Sequence, residues 1–555
     1  MPPLQQARSQ YHPKLPAALR QGKLRVELGQ PTAPATDADR IRRLFPETYG
    51  QPAATIVAGT GALHAGPLTV GVVLSGGQAP GGHNVIAGIF DALKAANPDN
   101  RLVGFLKGPG GVIKGRYVEL AADRIAAYRN TGGFDMIMSG RDKIETPEEL
   151  AACKPNVENL GLAGLVIVGG DDSNTNAAML AEYLKAEGSR TVVIGVPKTI
   201  DGDMKNEQIE ASFGFDTACK TYAELIGNLG RDALSAVKYW HFVRLMGRSA
   251  SHIALECALQ THPNVCLIGE EVRAKGWSLQ QLADQVCETV ARRADAGRSY
   301  GIALVPEGLV EFVPEFGRLI SELKGMSHAE LDRVHGLPSH EDRRQFLLHE
   351  RLSAESGRVY ASLPGDTQEA LLRFDSHGNP PVSQIETEKL LIDLVADRIR
   401  DLNAAREGTG EPRVKFSPLA HFFGYEGRCA FPSNFDADYC YALGYTAAHL
   451  VQAGLTGYTA TVRHLTRSAD EWVAGGAPVT MMLNLEVRKG EQKPVIRKAL
   501  VDLNGGPFRT FADARDRWAV EDDYVAPGPI QYFGPPAVCD ATTITLALEQ
   551  GRGAG

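Results

Sequence analysis

Three times between Thr69 and Leu229 the chain runs a short β-branched stretch into a glycine-rich polar turn and on into a helical pattern. TVGVVL (69–74) leads into SGGQAPGGHN and VIAGIFDALKAA, and GLVIVGG (164–170) leads into DDSNT and NAAMLAEYLKAEG. TVVIGVP (191–197) leads into KTIDGD and later DTACKTYAELIGNL. This grammar specifies parallel strands joined by crossover helices in a layered α/β sheet. A second set follows: YWHFVRLM (239–246) before SASHIALECALQ, VCLIGEE (265–271) before a helix near 279–296, and GIALVPEG (301–308). The expected fold is therefore α/β, with two similar layered lobes.

From about 318 to 400 the grammar stops. DRVHGLPSHEDRRQF and ETEKLLIDLVADRIRDL are charged and helix-prone, so this stretch reads as a mainly helical insertion in the second lobe. With 555 residues the chain exceeds one ordinary core. The expected parts are an extension over the body (1–66), a first lobe (67–216, completed by 430–465), a second lobe (217–429) and a C-terminal region packing on the lobes (466–555).

Composition, at 43% hydrophobic and 22% charged residues, is that of a globular protein. A net charge of −8 without a long Lys/Arg run gives no electrostatic footprint for nucleic acid or a membrane surface. An anionic substrate would need a local cluster of positive groups. The eight cysteines form no CxxC pair, so neither a zinc site nor a disulfide framework is suggested, and a reducing cytoplasm is expected. The N-terminus lacks a secretory apolar core. The uncharged stretch after Glu47 is broken by glycines and by Pro52, Pro67 and Pro80, so it is not a spanning helix.

Ligands of parallel α/β sheets bind at the carboxyl ends of strands, where the polar turns lie. SGGQAPGG (75–82) could bring backbone N–H groups to a phosphate, or could be a plain glycine turn; it is not a Walker loop. In GGDDSNTNA (169–177), two carboxylates precede a helix expected near Ser173. Asp172 could cap that helix, or the pair could serve a Mg²⁺ ion escorting phosphates. PKTIDGD (197–203) gathers Lys198, Asp201 and Asp203, either as a polar turn or as a general base beside a charge-neutralising lysine. RLMGRSASH (244–252) sets Arg248 beside a helix start expected at Ser249, a natural phosphate seat. PEG (306–308) offers Glu307, and GYEGR (424–428) offers Tyr425 and Arg428.

Together these segments resemble the pyrophosphate-dependent phosphofructokinases, especially the long-chain group that includes the plant catalytic β subunit. LSGGQAPGGHN, NTGGFDMIMSGRDKIETPEEL, GGDDSNTNA, PKTIDGD, SFGFDTACK, KYWHFVRLMGR, LECALQTHPN, PEGL and FFGYEGR stand in family order from about residue 67. The resemblance implies transfer of a phosphoryl group from pyrophosphate to the C1 hydroxyl of fructose 6-phosphate, reversibly, in glycolysis and gluconeogenesis. It makes the first lobe the pyrophosphate-binding one and the second the sugar-phosphate-binding one. Gly76 then meets pyrophosphate through its backbone, Asp171 is the Mg²⁺-associated carboxylate, and Asp201 is the general base within the substrate-contacting turn Thr199–Ile200–Asp201. Lys198 stabilises the transition state. Met246, Gly247, Arg248, Glu307, Tyr425, Glu426, Gly427 and Arg428 contact fructose 6-phosphate. Lys238 and Tyr239 reach substrate from a neighbouring subunit, implying at least a homodimer with a shared active site.

The nearest alternative is an ATP-dependent phosphofructokinase, whose branch resembles GGDGS with glycine where this chain has Asp172. A carboxylate ~4 Å from an α-phosphate would cost roughly 4 kcal/mol at an effective dielectric near 20. Asp172 thus works against ATP, and pyrophosphate has no group to place there. A non-catalytic regulatory subunit is the other alternative, and it would have lost Asp201, Lys198 or Asp171. None is lost.

Overall fold

The chain is described from a computed structural model, which covers residues 2–61, 63–64, 66–373, 385–488 and 491–551. Its N-terminal part forms β1 (Leu24–Pro31), β2 (Pro52–Ala58), β3 (Thr69–Ser75), β4 (Arg101–Phe105), β5 (Tyr117–Glu119), β6 (Ser139–Gly140), β7 (Leu162–Gly169) and β8 (Val192–Pro197). Then come β9 (Tyr239–Leu245), β10 (Val265–Cys266), β11 (Tyr300–Pro306) and β12 (Pro418–Phe423). The C-terminal part forms β13 (Tyr458–Arg463), β14 (Val473–Pro478), β15 (Leu483–Arg488) and β16 (Glu491–Ile496).

The chain divides into two compact units: residues 1–221, 425–499 and 529–555, and residues 222–424 and 500–528. The turn 425–428 therefore belongs to unit 1, and a C-terminal stretch joins unit 2.

Unit 1 is built on a ten-stranded sheet in the order β1-β2-β14-β13-β8-β7-β3-β4-β5, with β6 also pairing β3. The strands β13, β8, β7, β3 and β4 run parallel. Their apolar runs are buried on both faces, as in Val166–Val168 of β7, which is why they read as continuous rather than alternating. The chain leaves β3 for β4 on one side and later returns to β7 on the other. Such a reversal opens a crevice at the carboxyl ends of the two strands.

The first 66 residues do not simply lie over the body. β1 and β2 form an antiparallel pair whose register runs from Leu24 opposite Ala58 to Pro31 opposite Pro52. Proline, lacking an N–H, is tolerated at such strand ends, and it masked the pattern. β14 joins this pair to the parallel strands through Gly475 and Gly476, opposite Thr55 and Ala54. A Cβ at Gly475 would stand 2.2 Å from the Ala54 carbonyl oxygen, so this close approach requires glycine.

Unit 2 has an all-parallel sheet in the order β10-β11-β9-β12. The strand expected over 265–271 stops after Cys266. A helix Gly269–Lys275 begins instead, with Glu270 and Glu271 in its first turn, where carboxylates suit the helix dipole. The region 318–400 is helical where described, from Pro314–Lys324 to Thr387–Thr409; residues 374–384 lie outside the described residues. Leu319, Leu323, Val334 and Tyr360 of this region share one core with Trp240 and Phe242 of β9. The insertion is thus packed into unit 2.

Candidate active site

In unit 1 the order β8-β7-β3 sets three turns side by side, because neighbouring strands lie about 4.8 Å apart. After β3, Gly76 takes φ +82° and donates its N–H to the Gly140 carbonyl at 2.8 Å. After β7, the helix Asp171–Ala186 starts with Gly170 as its N-cap, two residues earlier than expected. Asp171 and Asp172 are its first two residues, so Asp172 is not the cap. The buried Asn174 amide fixes this turn by donating to the carbonyls of Gly169 (2.7 Å) and Gly170 (3.0 Å). After β8 the Lys198 N–H continues the ladder to the Gly169 carbonyl at 3.0 Å, and Thr199 Oγ1 accepts from the Asp201 N–H at 3.1 Å.

These turns bring opposed charges together. Lys198 is buried, and its Nζ lies 3.5 Å from where a Cβ on Gly76 would stand. Burial, and then the Arg428 guanidinium, push the ammonium down to about 8, against the pull of Asp201, Asp171 and Asp203. Asp203 is pushed up to about 7, first by burial and then by the Asp201 carboxylate. The Lys498 ammonium sits 3.6 Å from both Asp171 and Asp203. Asp172 is about half exposed and lies 3.7 Å from the Lys143 ammonium. The Ile200 side chain is buried, which leaves its backbone for any contact in the turn.

The one-turn helix Tyr425–Arg428 adds Arg428 to this group. Its guanidinium lies across the glycine loop, in the space a side chain at Gly77 would fill, and its Nε donates to the Gln78 carbonyl at 3.4 Å. Tyr425 is exposed, with the guanidinium 5.5 Å from its ring centroid; Glu426 is exposed and Gly427 buried. The Gly424 to Arg428 segment was expected within the second lobe; Gly424 falls in unit 2 and residues 425–428 in unit 1.

In unit 2 backbone geometry does the positioning. β9 and β11 pair so that Leu245 faces Pro306, which brings the turns after them together. Gly247, at φ +126°, donates its N–H to a Glu307 carboxylate oxygen at 3.3 Å. Gly308 donates to the Gly247 carbonyl at 3.3 Å, and a Cβ there would stand 1.8 Å from the Arg248 carbonyl oxygen. Met246 donates its N–H to Phe423 at 3.1 Å, and Arg248 is exposed. The helix expected from Ser249 starts at His252, so Arg248 projects from a turn. Lys238 and Tyr239 stand at the opposite, amino end of β9, the ammonium 4.9 Å from the ring centroid, and Tyr239 has the uncommon φ of +75°.

Over 559 residues the chain is 54% identical to the pyrophosphate–fructose 6-phosphate 1-phosphotransferase of Treponema pallidum, covering 99% of this chain and 97% of that protein. It is 48% identical to subunit beta 1 of the Arabidopsis thaliana enzyme of that name, covering 97% and 92%. The sequence profile described as phosphofructokinase matches residues 69–340. The chain belongs to the phosphofructokinase family. A crystal structure of a pyrophosphate-dependent phosphofructokinase from Marinobacter aquaeolei shares this family fold with a TM-score of 0.52 at 16% identity, over 82% of this chain and 93% of that one.

Three charged residues near the glycine turns had no role assigned from the sequence. Asp203 was visible as a member of PKTIDGD. Lys143 lies inside the segment NTGGFDMIMSGRDKIETPEEL, where nothing local tied it to Asp172. Lys498 carried no signal at all: it is one lysine in a C-terminal stretch outside the matched residues 69–340.

Proposed function

We propose that this phosphofructokinase-family chain transfers a phosphoryl group from pyrophosphate to the C1 hydroxyl of fructose 6-phosphate, giving fructose 1,6-bisphosphate and phosphate. The reading rests chiefly on near-full-length identity of 54% to a relative named for that reaction. Asp201 takes the C1 hydroxyl proton, the C1 oxygen attacks one phosphorus, the P–O–P bond breaks, and inorganic phosphate leaves. The reverse sequence runs through the same groups. Lys198, already against the glycine loop, balances charge on the transferring group. The Gly76 backbone seats the donor, and Asp172 stands against a third phosphate. In unit 2, Met246, Gly247, Arg248 and Glu307 are the sugar phosphate contacts; in unit 1, Tyr425, Glu426, Gly427 and Arg428 are substrate contacts, and Thr199 and Ile200 complete the substrate-contacting turn.

The donor set suits Mg²⁺: Asp171 and Asp203 are oxygen ligands near enough to share one positive group, as Lys498 demonstrates. Asp171, with Asp203 opposite, would hold the ion, which supplies charge neutralisation to the phosphoryl oxygens.

The position of Lys238 and Tyr239 supports a homodimer. β9 separates them from Arg248, and a seven-residue strand spans roughly 20 Å. A second copy of the chain would bring them to the substrate. No helix among the described residues is long and apolar enough to cross a membrane, in keeping with work in the cytoplasm.

The test is a coupled assay of fructose 1,6-bisphosphate formation with pyrophosphate or ATP as donor. Turnover with pyrophosphate, and about a hundredfold less or lower with ATP, is expected. Turnover with ATP alone would overturn the donor assignment, and a folded chain inactive with both would overturn the catalytic one.

A further inference from the structure

Beyond the glycine turns, unit 1 sends one cation to the donor carboxylates from a distant part of the sequence. The β15–β16 hairpin shares a core with the helix that Asp171 opens: Leu483 and Ile496 belong with Ala178 to one buried cluster. The chain leaving the hairpin is held at two backbone points. Arg497 donates its N–H to the Met482 carbonyl at 3.1 Å, and Ala499 donates to the Asp203 carbonyl at 2.7 Å. Lys498 lies between these points, its ammonium 3.6 Å from Asp171 and 3.6 Å from Asp203.

Two neighbouring carboxylates, one of them nearly buried, need a positive group between them. Lys498 meets that need within the chain, and its side chain is about one-third exposed. We propose that Lys498 is a positioning residue of the donor site: its ammonium is the resident counter-cation of Asp171 and Asp203, and gives way when a divalent cation enters. The Ala499–Asp203 backbone bond keeps the displaced ammonium close by, where it turns toward the pyrophosphate oxygens. The inference rests on the phosphotransferase reading above.

The experiment measures binding of Mn²⁺ alone, by its EPR signal, to the wild-type chain and to Lys498→Met, alongside the KM for each substrate. Without the competing ammonium, Lys498→Met should bind Mn²⁺ on the order of tenfold more tightly. Its KM for pyrophosphate should rise by about as much, and its KM for fructose 6-phosphate should not move. Lys498→Arg should keep wild-type behaviour in all three measurements, which a merely structural role does not require. Should Lys498→Met fold poorly by thermal melt, Lys498→Gln takes its place with the same expectation. Unchanged or weaker Mn²⁺ binding in the neutral variant overturns the proposal while leaving the donor site in place. A wild-type chain that binds no Mn²⁺ overturns the metal assignment at Asp171, and the proposal falls with it.

Discussion

The two groups of candidate site residues are made in opposite ways. Both stand at carboxyl ends of parallel strands, and both begin with a glycine at positive φ, Gly76 in unit 1 and Gly247 in unit 2. In unit 1 the side chains decide: burial and then Arg428 push Lys198 down to about 8, while burial and then Asp201 push Asp203 up to about 7. In unit 2 the backbone decides: the Gly247 and Gly308 N–H groups lock the two turns together, and Arg248 extends into solvent. A group set by mutual charge is sensitive to pH and to charge substitution. A group set by backbone is sensitive to volume.

The largest effect expected is on Asp201. Loss of a general base typically costs 10²–10⁴-fold, so Asp201→Asn should lower kcat by about that range and leave the KM for fructose 6-phosphate nearly unchanged. Wild-type turnover would remove Asp201 from the chemistry.

Next comes Lys198, where losing one charge-stabilising group costs about 10²–10³-fold. Its depressed value also fixes a pH dependence. Below about 8 the ammonium is charged; above it the proton leaves, and the positive charge needed by the transferring phosphoryl group goes with it. The kcat/KM for pyrophosphate should therefore fall on an alkaline limb near pH 8, and Lys198→Arg should move that limb upward. A limb that stays in place in the arginine variant would assign it to another group.

In unit 2, Arg248→Ala should raise the KM for fructose 6-phosphate by about 10–100-fold, the range for a charge-assisted hydrogen bond, and spare that for pyrophosphate. Gly308→Ala sharpens the contrast. It removes no charge, yet its methyl group meets the Arg248 carbonyl, so it should weaken the same substrate. Normal sugar phosphate affinity in Gly308→Ala would break the backbone account.

The smallest effect is expected at Asp172. Half exposed and beside Lys143, it is screened, so Asp172→Gly should admit ATP by only about tenfold in affinity while slowing the pyrophosphate reaction. Steady-state kinetics with both donors decide this, and an unchanged preference would refute exclusion by charge.

The same contrast explains what was legible in the sequence. β3, β7, β8, β9 and β11 were readable because strands buried on both faces are continuous apolar runs, and the turns after them carry their chemistry locally. β1, β2 and β14 were not, since Pro31, Pro52, Gly475 and Gly476 imitate loop signals while serving strand ends and a close crossing. Within the candidate site, the members of GGDD and PKTIDGD announced themselves. Lys143 and Lys498 did not, because their pairing with carboxylates depends on tertiary packing that no local spacing encodes. Arg428 was found, but its place on the glycine loop was hidden, since the unit boundary falls at Gly424 with no break in composition.

The route of the sheet also has a consequence in time. β1 and β2 join the parallel strands only through β14, which begins at Val473, 415 positions after β2 ends at Ala58 (473 − 58). At 5–20 residues per second, the emerging N-terminal hairpin waits roughly 20–80 s for its neighbour. Through that interval β2 presents an open edge, the kind of surface that pairs with other chains. Ribosome-bound chains halted before β14 should therefore be cut readily by protease within residues 24–58, and chains halted well past it should resist. Equal cleavage in both would mean that the hairpin is protected earlier by something else. Until then the β1–β2 hairpin is the part of the nascent chain most in need of a chaperone.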